Sequence, residues 1–484
     1  MRASTQYWSR GFSPEVVRGF PNTNALTSIC IVLEAWRRGL RVTFTASSLH
    51  TFTVSDGEKT IDFNCCRPDS LTAREDWLRL VRKWDTNQTL SAQGFPVPRA
   101  AQLKTAVVTE AELRAHAEDL GYPLVLKPNG GSGGKNVLVN LRTWEELKAA
   151  YNHLATVENI RLVQMETYHE GDDYRVLVVG DRVAAACHRV PANVTGDGVQ
   201  SIRELIDAKN RVRRTNPHLS NGLITVDERA LSYLKEQGIT SLDTVLPKGE
   251  LVYIGQVANA MSGGDVIDVT DSLPDLLKET VVQAVGAMPN IYVAGVDILY
   301  KEGNDPSDFT IIEMNSRPEI TVNMYPVVGV GPDVPKAFID YFFPNQPRDI
   351  AARDNMLRFD SMAIQEFLEM GIADSVSLKP IPDHRFRYRR LVSLGPSANA
   401  NRLSSRQVAF IKRDANSNDV AGQLRVRDGQ LQLIVGAGSR ASAQKFVEGV
   451  TKRLGVTIGE ERKWVGVLPV GFDIPATLIR STKQ

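Results

Sequence analysis

Residues 123–137 read PLVLKPNGGSGGKNV, and this stretch decides the fold. The apolar run at 123–126 predicts a strand that ends at Lys127. A loop of small residues follows, made of Gly130, Gly131, Ser132, Gly133 and Gly134. Glycines let backbone N–H groups approach a phosphate closely, and the lysine adds a fixed positive charge. The stretch therefore predicts a phosphate site, although it matches neither the P-loop spacing nor Gly-x-Gly-x-x-Gly and could equally form a flexible hairpin.

A second segment, residues 163–177, reads VQMETYHEGDDYRVL. Glu166 follows an apolar strand, and Asp173 stands two residues after Gly171. Carboxylates so placed could accept hydrogen bonds from an adenine amino group and from ribose hydroxyls. The alternative is a solvated acidic turn.

A third segment places acidic residues inside very apolar runs, VAGVDIL at 293–299 and IIEMNSRP at 311–318. Burying a carboxylate is costly unless another group neutralises it. The oxygen donors of Asp297, Glu313 and Asn315 suit Mg²⁺, and residues two apart on a strand share one face. The alternative is a structural ion pair from Glu313 to Arg317.

The bulk composition excludes several classes of protein. With 57 basic and 56 acidic residues among 484, the net charge is +1, so a nucleic-acid partner is not expected. There is no run of about 20 apolar residues that could span a membrane, and the first residues lack the apolar stretch of a secretory signal, so we expect no membrane segment, no secretory signal and a cytoplasmic protein. The four cysteines fit neither a disulfide framework nor a zinc site, and we expect them to be reduced and buried.

The pattern of helices and strands predicts four segments: a small α/β domain at 1–103, a mixed domain at 104–343, a linker at 344–382 and a β-rich unit at 383–484. Helical spacing occurs at 110–120 and 143–154 in the mixed domain and at 441–454 in the last unit.

Taken together, these segments resemble the ATP-grasp ligases. The likeness is closer to the ATP-grasp domains of cyanophycin synthetase and the bifunctional glutathione synthetases. It rests on AAACHRVPANVTGDG at 184–198, SIRELI at 201–206 and ANAMSGGDVIDVTD at 258–271, which occur in the expected order with the three segments above.

The resemblance implies an ATP-grasp fold, in which two α+β subdomains grip ATP, preceded by the small α/β domain and followed by a small ferredoxin-like α+β domain. It implies ATP and two Mg²⁺ ions, with Mn²⁺ as a substitute, held by Asp297, Glu313 and Asn315. The implied nucleotide contacts are Lys83, Lys127, Gly130, Gly131, Ser132, Gly133, Gly134, Glu166, Asp173 and Arg175. The implied catalytic residues are Arg189, Arg317, Asn259, Ser262, Gly263 and Gly264.

The implied reaction activates a small-molecule carboxylate, such as an amino acid or small peptide, as an acyl phosphate that an amine then attacks. Alternatives are a non-amine acceptor, or an ATP sensor without turnover. A homodimer is expected by analogy with similar ligases.

The sequence departs from its closer relatives where the substrates are expected to bind. Gly255 and Gln256 stand in place of an arginine, Glu319 replaces a glycine, and Asn323 replaces a histidine. The last unit resembles an acylphosphatase, but the catalytic arginine and asparagine would fall near Val408 and Val426. We therefore expect it to serve in packing, dimerisation or substrate covering rather than hydrolysis.

Overall fold

The computed structural model describes residues 8–17, 23–131, 135–157, 160–305, 307–346, 356–382, 384–395 and 403–479. Within these ranges the helices are α1 Thr23–Arg37, α2 Arg74–Val81, α3 Lys83–Ser91, α4 Glu110–Leu120, α5 Trp144–Thr156, α6 Ile202–Arg213, α7 Glu228–Glu236, α8 Asp275–Gly286, α9 Thr321–Met324, α10 Val334–Phe342, α11 Ser361–Glu369, α12 Ser405–Ser417 and α13 Arg440–Leu454. Short 3-10 turns lie at Arg10–Phe12, Leu219–Asn221, Ala260–Ser262 and Ala476–Leu478.

The strands over the same ranges are β1 Arg41–Phe44, β2 Thr51–Ser55, β3 Thr60–Asn64, β4 Arg67–Pro68, β5 Ala100–Lys104, β6 Leu124–Pro128, β7 Leu138–Leu141, β8 Leu162–Thr167, β9 Asp172–Val179, β10 Arg182–Val190, β11 Asn193–Thr195, β12 Leu251–Tyr253, β13 Asp265–Asp268, β14 Val293–Tyr300, β15 Phe309–Asn315, β16 Leu357–Arg358, β17 Val376–Leu378, β18 Tyr388–Leu394, β19 Ala421–Arg427, β20 Gln430–Ala437, β21 Ile458–Lys463, β22 Leu468–Pro469 and β23 Phe472–Asp473.

The chain divides into two compact units. The first unit comprises Met1–Arg10, Phe20–Ser28 and Ile61–Tyr341, and the second comprises Gly11–Gly19, Ile29–Thr60 and Phe342–Gln484.

The first unit contains an antiparallel sheet of order β13-β10-β9-β14-β15. Alternate residues of a strand face opposite sides. On β9, Tyr174, Val176 and Val178 pack in one core with α8. Helix α8 contributes Leu277, Val281, Ala284 and Val285 at helical spacing. The residues that alternate with these core positions along each strand therefore face the opposite side of the sheet.

A second sheet of the first unit has the order β5-β8-β6-β7 and is covered by α4 and α5. Helix α4 begins with a capping box between Thr109 and Glu112, in which each side chain satisfies the other's backbone N–H. The helices predicted at 110–120 and 143–154 are confirmed by α4 and α5. Each sheet with its helices forms one α+β layer pair.

In the second unit, β18, α12, β19, β20, α13 and β21 follow one another, and the sheet order is β21-β18-β20-β19-β23. Both helices pack against the same apolar face, where the core includes Ile411 and Phe446. The helix predicted at 441–454 is confirmed as Arg440–Leu454. These elements therefore follow one another as βαββαβ, and the predicted ferredoxin-like fold of this unit stays a prediction.

The contacts group the residues differently from the four segments expected from the sequence. Strand β17, in the predicted linker 344–382, pairs antiparallel with β1, so Val42 lies opposite Leu378. The side chain of Trp36 also donates a hydrogen bond to the carbonyl of Lys379, 2.9 Å away. Part of the predicted linker therefore forms a strand, because a short strand distant in sequence completes a local sheet, and the predicted segment boundaries stay a prediction.

Candidate active site

Lys127 stands at the end of β6 and joins the two sheets of the first unit. Its Nζ lies 2.7 Å from Oε1 of Glu166 on β8 and donates to the carbonyl of Ile312 on β15 over 3.3 Å. Gln164 donates to the same Glu166 oxygen over 2.6 Å. Burial raises the pKa of Glu166 above its ordinary value, although Lys127 opposes the shift. In this structure Glu166 holds Lys127, and its contact with adenine stays a prediction.

Lys83 reaches the same place from the first residue of α3. Its Nζ lies 2.9 Å from Oε1 of Glu313 and donates to the carbonyl of Gly131 over 3.2 Å. Asn129 fixes this corner, because its carbonyl accepts from the Lys83 backbone N–H over 3.0 Å and its Oδ1 accepts from that of Trp84 over 2.7 Å. The two predicted lysines therefore converge on β15.

The glycine loop begins directly beyond Asn129. Gly131 has φ +115°, a conformation that side chains with a Cβ rarely adopt, and Gly130 has no heavy atom near its ideal Cβ position. The loop residues Ser132, Gly133 and Gly134 lie outside the described residues, so their predicted phosphate contacts stay predictions.

The three predicted metal ligands lie on neighbouring strands. Asp297 of β14 is directly opposite Glu313 of β15, and Asn315 is opposite Gly295. Directly opposite residues in an antiparallel pair have Cβ atoms about 4.5–5.5 Å apart, and Asn315 shares the face of Glu313. The strand register therefore brings the three oxygen donors together.

Two arginines, one on each of two nearby strands, bind the carboxylate of Asp297. Arg175 of β9 donates from Nε to Oδ1 of Asp297, and its Nη2 donates to Oδ2 over 3.0 Å. Nη2 of Arg189, on β10, lies 3.2 Å from Oδ2 of Asp297 and 2.6 Å from Oδ1 of Asp173. Bidentate guanidinium pairs of this kind are strong and geometrically specific.

Burial and these arginines shift the pKa values of Asp173 and Asp297 in opposite directions. Burial raises the pKa of Asp173 to about 6, against the attraction of Arg189. Burial acts in the same direction on Asp297, but Arg175 and Arg189 together hold the pKa of Asp297 below its ordinary value. Asp173 thus binds Arg189 in this structure, and its contact with ribose stays a prediction.

The donor set fits a divalent cation in chemistry: two carboxylates and an amide oxygen suit Mg²⁺. Among the residues that the structure describes, no group of three or more His, Cys, Asp or Glu is arranged to hold a metal ion. Both oxygens of Asp297 accept hydrogen bonds from guanidinium groups. A cation that binds Asp297 therefore competes with Arg175 and Arg189. The predicted set of metal ligands reaches three only when Asn315 is included.

Arg317 follows β15 and is exposed. Its Nη1 donates to Oδ1 of Asn64 over 3.0 Å, and the Sγ of Cys66 donates to the carbonyl of Pro318 over 3.0 Å. Burial raises the pKa of the Cys66 thiol well above its ordinary value, and Cys66 is free and buried, as expected. The hairpin of β3 and β4 thereby positions Arg317.

The segment 259–264 forms a tight turn with structural tasks of its own. Asn259 accepts from the backbone N–H of Met261 over 2.8 Å, and Gly263 has φ +90°. An ideal Cβ on Gly264 would lie 2.7 Å from the Val190 carbonyl, so only glycine fits there. Buried Arg213 donates to the carbonyls of Ala260 and Gly264. The catalytic roles predicted for Asn259, Ser262, Gly263 and Gly264 stay predictions.

Sequence reasoning missed three residues that build this site: Asn64, Asn129 and Gln164. Gln164 precedes Glu166 by two positions on a strand, so the period of two could have placed both side chains on one face. Asn129 stands directly before the glycine loop, where a capping side chain is common. Asn64 carries no signal near Arg317, because 253 positions separate the two residues.

The profile of the ATP-grasp domain family matches residues 81–321. Residues 81–321 are therefore similar to an ATP-grasp domain, and they include the two α+β sheets that meet at Lys127 and Glu313.

Among curated relatives, the chain is similar to cyanophycin synthetase of Synechocystis sp., with 36% identity over 272 residues, which cover 54% of this chain and 30% of that protein. It is also similar to the glutathione biosynthesis bifunctional protein of Enterococcus faecalis, with 30% identity over 343 residues, covering 67% of this chain and 43% of that protein. The chain thus matches well under half the length of these relatives.

Among solved structures, a bifunctional glutathione synthetase from Pasteurella multocida aligns with a TM-score of 0.53 and 24% identity, covering 66% of this chain and 43% of that one. This likeness supports the fold. No described helix has the length and apolar character needed to cross a bilayer.

Proposed function

We propose that the chain is an ATP-dependent ligase that activates a carboxylate as an acyl phosphate and joins it to an amine, giving an amide, ADP and phosphate. The observation that carries the proposal is the meeting of two lysines with an acidic strand pair. Nζ of Lys83 lies 2.9 Å from Oε1 of Glu313, and Nζ of Lys127 lies 3.3 Å from the carbonyl oxygen of the preceding residue, Ile312. The names of the relatives, both synthetases, are in line with it.

The first step transfers the γ-phosphoryl group. A carboxylate oxygen attacks phosphorus, the bond to the bridging oxygen breaks, and its electron pair leaves on ADP. Lys83 and Lys127 bind the phosphate oxygens, and Arg189 neutralises charge as it spreads. Asp297, Glu313 and Asn315 would hold Mg²⁺, which supplies charge neutralisation on the phosphates when bound.

The second step forms the amide. A neutral amine attacks the acyl carbon, the C–O bond to phosphate breaks, phosphate leaves with the electron pair, and the nitrogen loses a proton. Arg317 is the exposed guanidinium nearest in sequence to Asn315 and binds the acyl phosphate oxygens. Asn64 orients it through the 3.0 Å hydrogen bond. No protein nucleophile takes part.

The direct test incubates the purified chain with MgATP, hydroxylamine and a panel of carboxylates. An acyl phosphate gives a hydroxamate together with ADP, so the activation step is observed without knowing the amine. Amine panels then replace hydroxylamine. Tight ATP binding without hydroxamate or ADP under any mixture would support a sensor instead, and hydroxamate formation with turnover only on thiols or alcohols would change the acceptor class.

The C-terminal βαββαβ unit is proposed to cover substrate or to pair with a second copy, rather than to hydrolyse acyl phosphates. Val408 and Val426 stand where an acylphosphatase would need polar groups. A cytoplasmic location and a homodimer also remain predictions.

A further inference from the structure

A buried polar cluster lies just beyond Arg317 in the first unit. We define the Glu319 cluster as Thr23, Thr27, His218, Glu319, Thr321 and Asn323. The hydroxyl of Thr23 donates to Oε1 of Glu319 over 2.5 Å. His218 and Thr321 share a 2.9 Å hydrogen bond, and both are buried. None of these residues belongs to the nucleotide or metal-ligand sets.

Two buried side-chain atoms of this cluster have no hydrogen-bond partner among the described residues: Oγ1 of Thr27 and Oδ1 of Asn323. Thr27 is 0% and Asn323 is 2% exposed. Thr27 follows Thr23 by four positions in α1, about one helical turn, and Asn323 lies in the short helix α9 two residues after Thr321, which bonds His218. Unpaired buried polar atoms are rare and costly, so these two call for a ligand or an ordered water.

The position of the cluster relates it to the second chemical step. Only Pro318 separates Glu319 from Arg317, so their Cα atoms lie at most about 7.6 Å apart. Pro318 is fixed through its carbonyl by Cys66, and Arg317 is fixed by Asn64. Glu319 therefore lies within reach of a substrate that binds at Arg317.

The Glu319 cluster is suited to a ligand that donates hydrogen bonds. A carboxylate and an amide oxygen only accept hydrogen bonds, and a hydroxyl can accept as well. An ammonium group offers three N–H donors and a positive charge. A carboxylate against a nitrogen favours its protonated form, and a protonated nitrogen has no lone pair with which to attack. Glu319 is therefore suited to a nitrogen that stays charged while another nitrogen reacts.

We propose that Glu319 selects an acceptor amine carrying a second, non-reacting ammonium or guanidinium group, as in a diamine or a basic amino acid. The proposal rests on the ligase function proposed above. Thr23 acts as a positioning residue that holds the carboxylate, and Asn323 and Thr27 supply the further acceptors.

The test compares matched amine pairs that differ only in the remote charge, such as lysine with norleucine and 1,4-diaminobutane with butylamine. For the unmodified chain, kcat/KM is expected to be higher for the charged member. Glu319→Gln should reduce this preference at least about tenfold, equivalent to about 1.4 kcal/mol, through KM for the amine. KM for ATP should change less than twofold. Thr23→Val, which keeps the carboxylate, should reduce the preference by a smaller factor.

Exposed Glu279 of α8 supplies the control, since Glu279→Gln should retain the full preference. An unchanged preference in Glu319→Gln, or equal loss for charged and uncharged amines, would overturn the proposed selectivity. Hydroxamate formation without any amine ligation would overturn it too while leaving activation intact. Absence of hydroxamate with every carboxylate would instead remove the ligase function itself, and the inference with it.

Discussion

Two five-stranded sheets of this chain use the same plan and differ in where charge is buried. The sheet of β13, β10, β9, β14 and β15 packs α8 on one face, and the sheet of β21, β18, β20, β19 and β23 packs α12 and α13 on one face. In the first, the face away from α8 carries Asp173, Arg175, Arg189, Asp297 and Glu313 on three inner strands and one edge.

In the second sheet, the central strand β20 is apolar toward the helices and carries Gln432 as its buried polar side chain. The ionisable residues of this second sheet are half-buried or exposed, and the edge strand β21, whose six residues are all exposed, carries four of them. Charges on an edge strand are hydrated and also discourage pairing with other chains. Charges at the centre of a sheet need partners, so their presence there indicates a function rather than a requirement of the fold.

The largest expected effect tests this difference directly. Asp297→Ala or Glu313→Ala should lower ATP turnover by roughly 10²–10³-fold, because each removes charge placed at the transferring phosphoryl group. Glu460→Ala, on exposed β21, should leave turnover unchanged. ADP release under saturating substrates measures the effect, and circular dichroism checks the fold. Near-normal rates in both site variants would contradict the assignment.

Stability should follow the same division. Arg189→Met leaves Asp173 and Asp297 with less compensation and should lower the free energy of unfolding by about 3 kcal/mol. Arg390→Met breaks the 3.1 Å pair with Glu461, which is partly exposed, and should cost less than about 1 kcal/mol. Urea unfolding measures both. Equal losses would show that buried and edge pairs contribute alike.

A pH effect is expected from the unit that carries the site. Burial lowers the pKa of His218 to about 4. The folded state therefore disfavours the charged imidazole, so stability is full above about pH 6.5 and falls as pH drops toward 4. Between pH 7 and pH 5 the loss from this group is about 2 kcal/mol. His218→Gln should flatten this part of the profile, whereas His384→Gln, exposed in the other unit, should not.

The smallest effect concerns the second unit alone. Ser404 forms a capping box with Gln407 at the start of α12. Ser404→Ala should lower the stability of that unit by about 1 kcal/mol while leaving ATP binding unchanged. Ser405→Ala, at the first helical position and exposed, is the matched control and should be nearly neutral. A change in ATP affinity with Ser404→Ala would contradict the separation of tasks between the two sheets.

Much of the framework is readable from local patterns. The strand ending at Lys127, helices α4 and α5, and the β14–β15 pair all follow from periodicity and capping, because those signals act over a few residues. The proximity of Asp297 and Glu313 could be expected from the sequence. Each lies in an apolar strand, and buried carboxylates there need a group that neutralises both.

The rest depends on contacts between distant residues. The hydrogen bond from Arg317 to Asn64, the strand β17 beside β1, and the arginine pair on Asp297 leave no local trace in the sequence. The predicted adenine and ribose roles of Glu166 and Asp173 illustrate the limit. Their side chains are engaged by Lys127 and Arg189, partners 39 and 16 positions away, which spacing alone did not reveal.

Asn129 has a mechanical consequence. Its carbonyl and its side-chain Oδ1 each accept a hydrogen bond from a backbone N–H, and so tie the start of the glycine loop to the first residues of α3. Lys83, the first residue of α3, is one of the residues held in this way. The backbones of two separate parts of the chain, which carry Lys127 and Lys83, are thus tied together at Asn129.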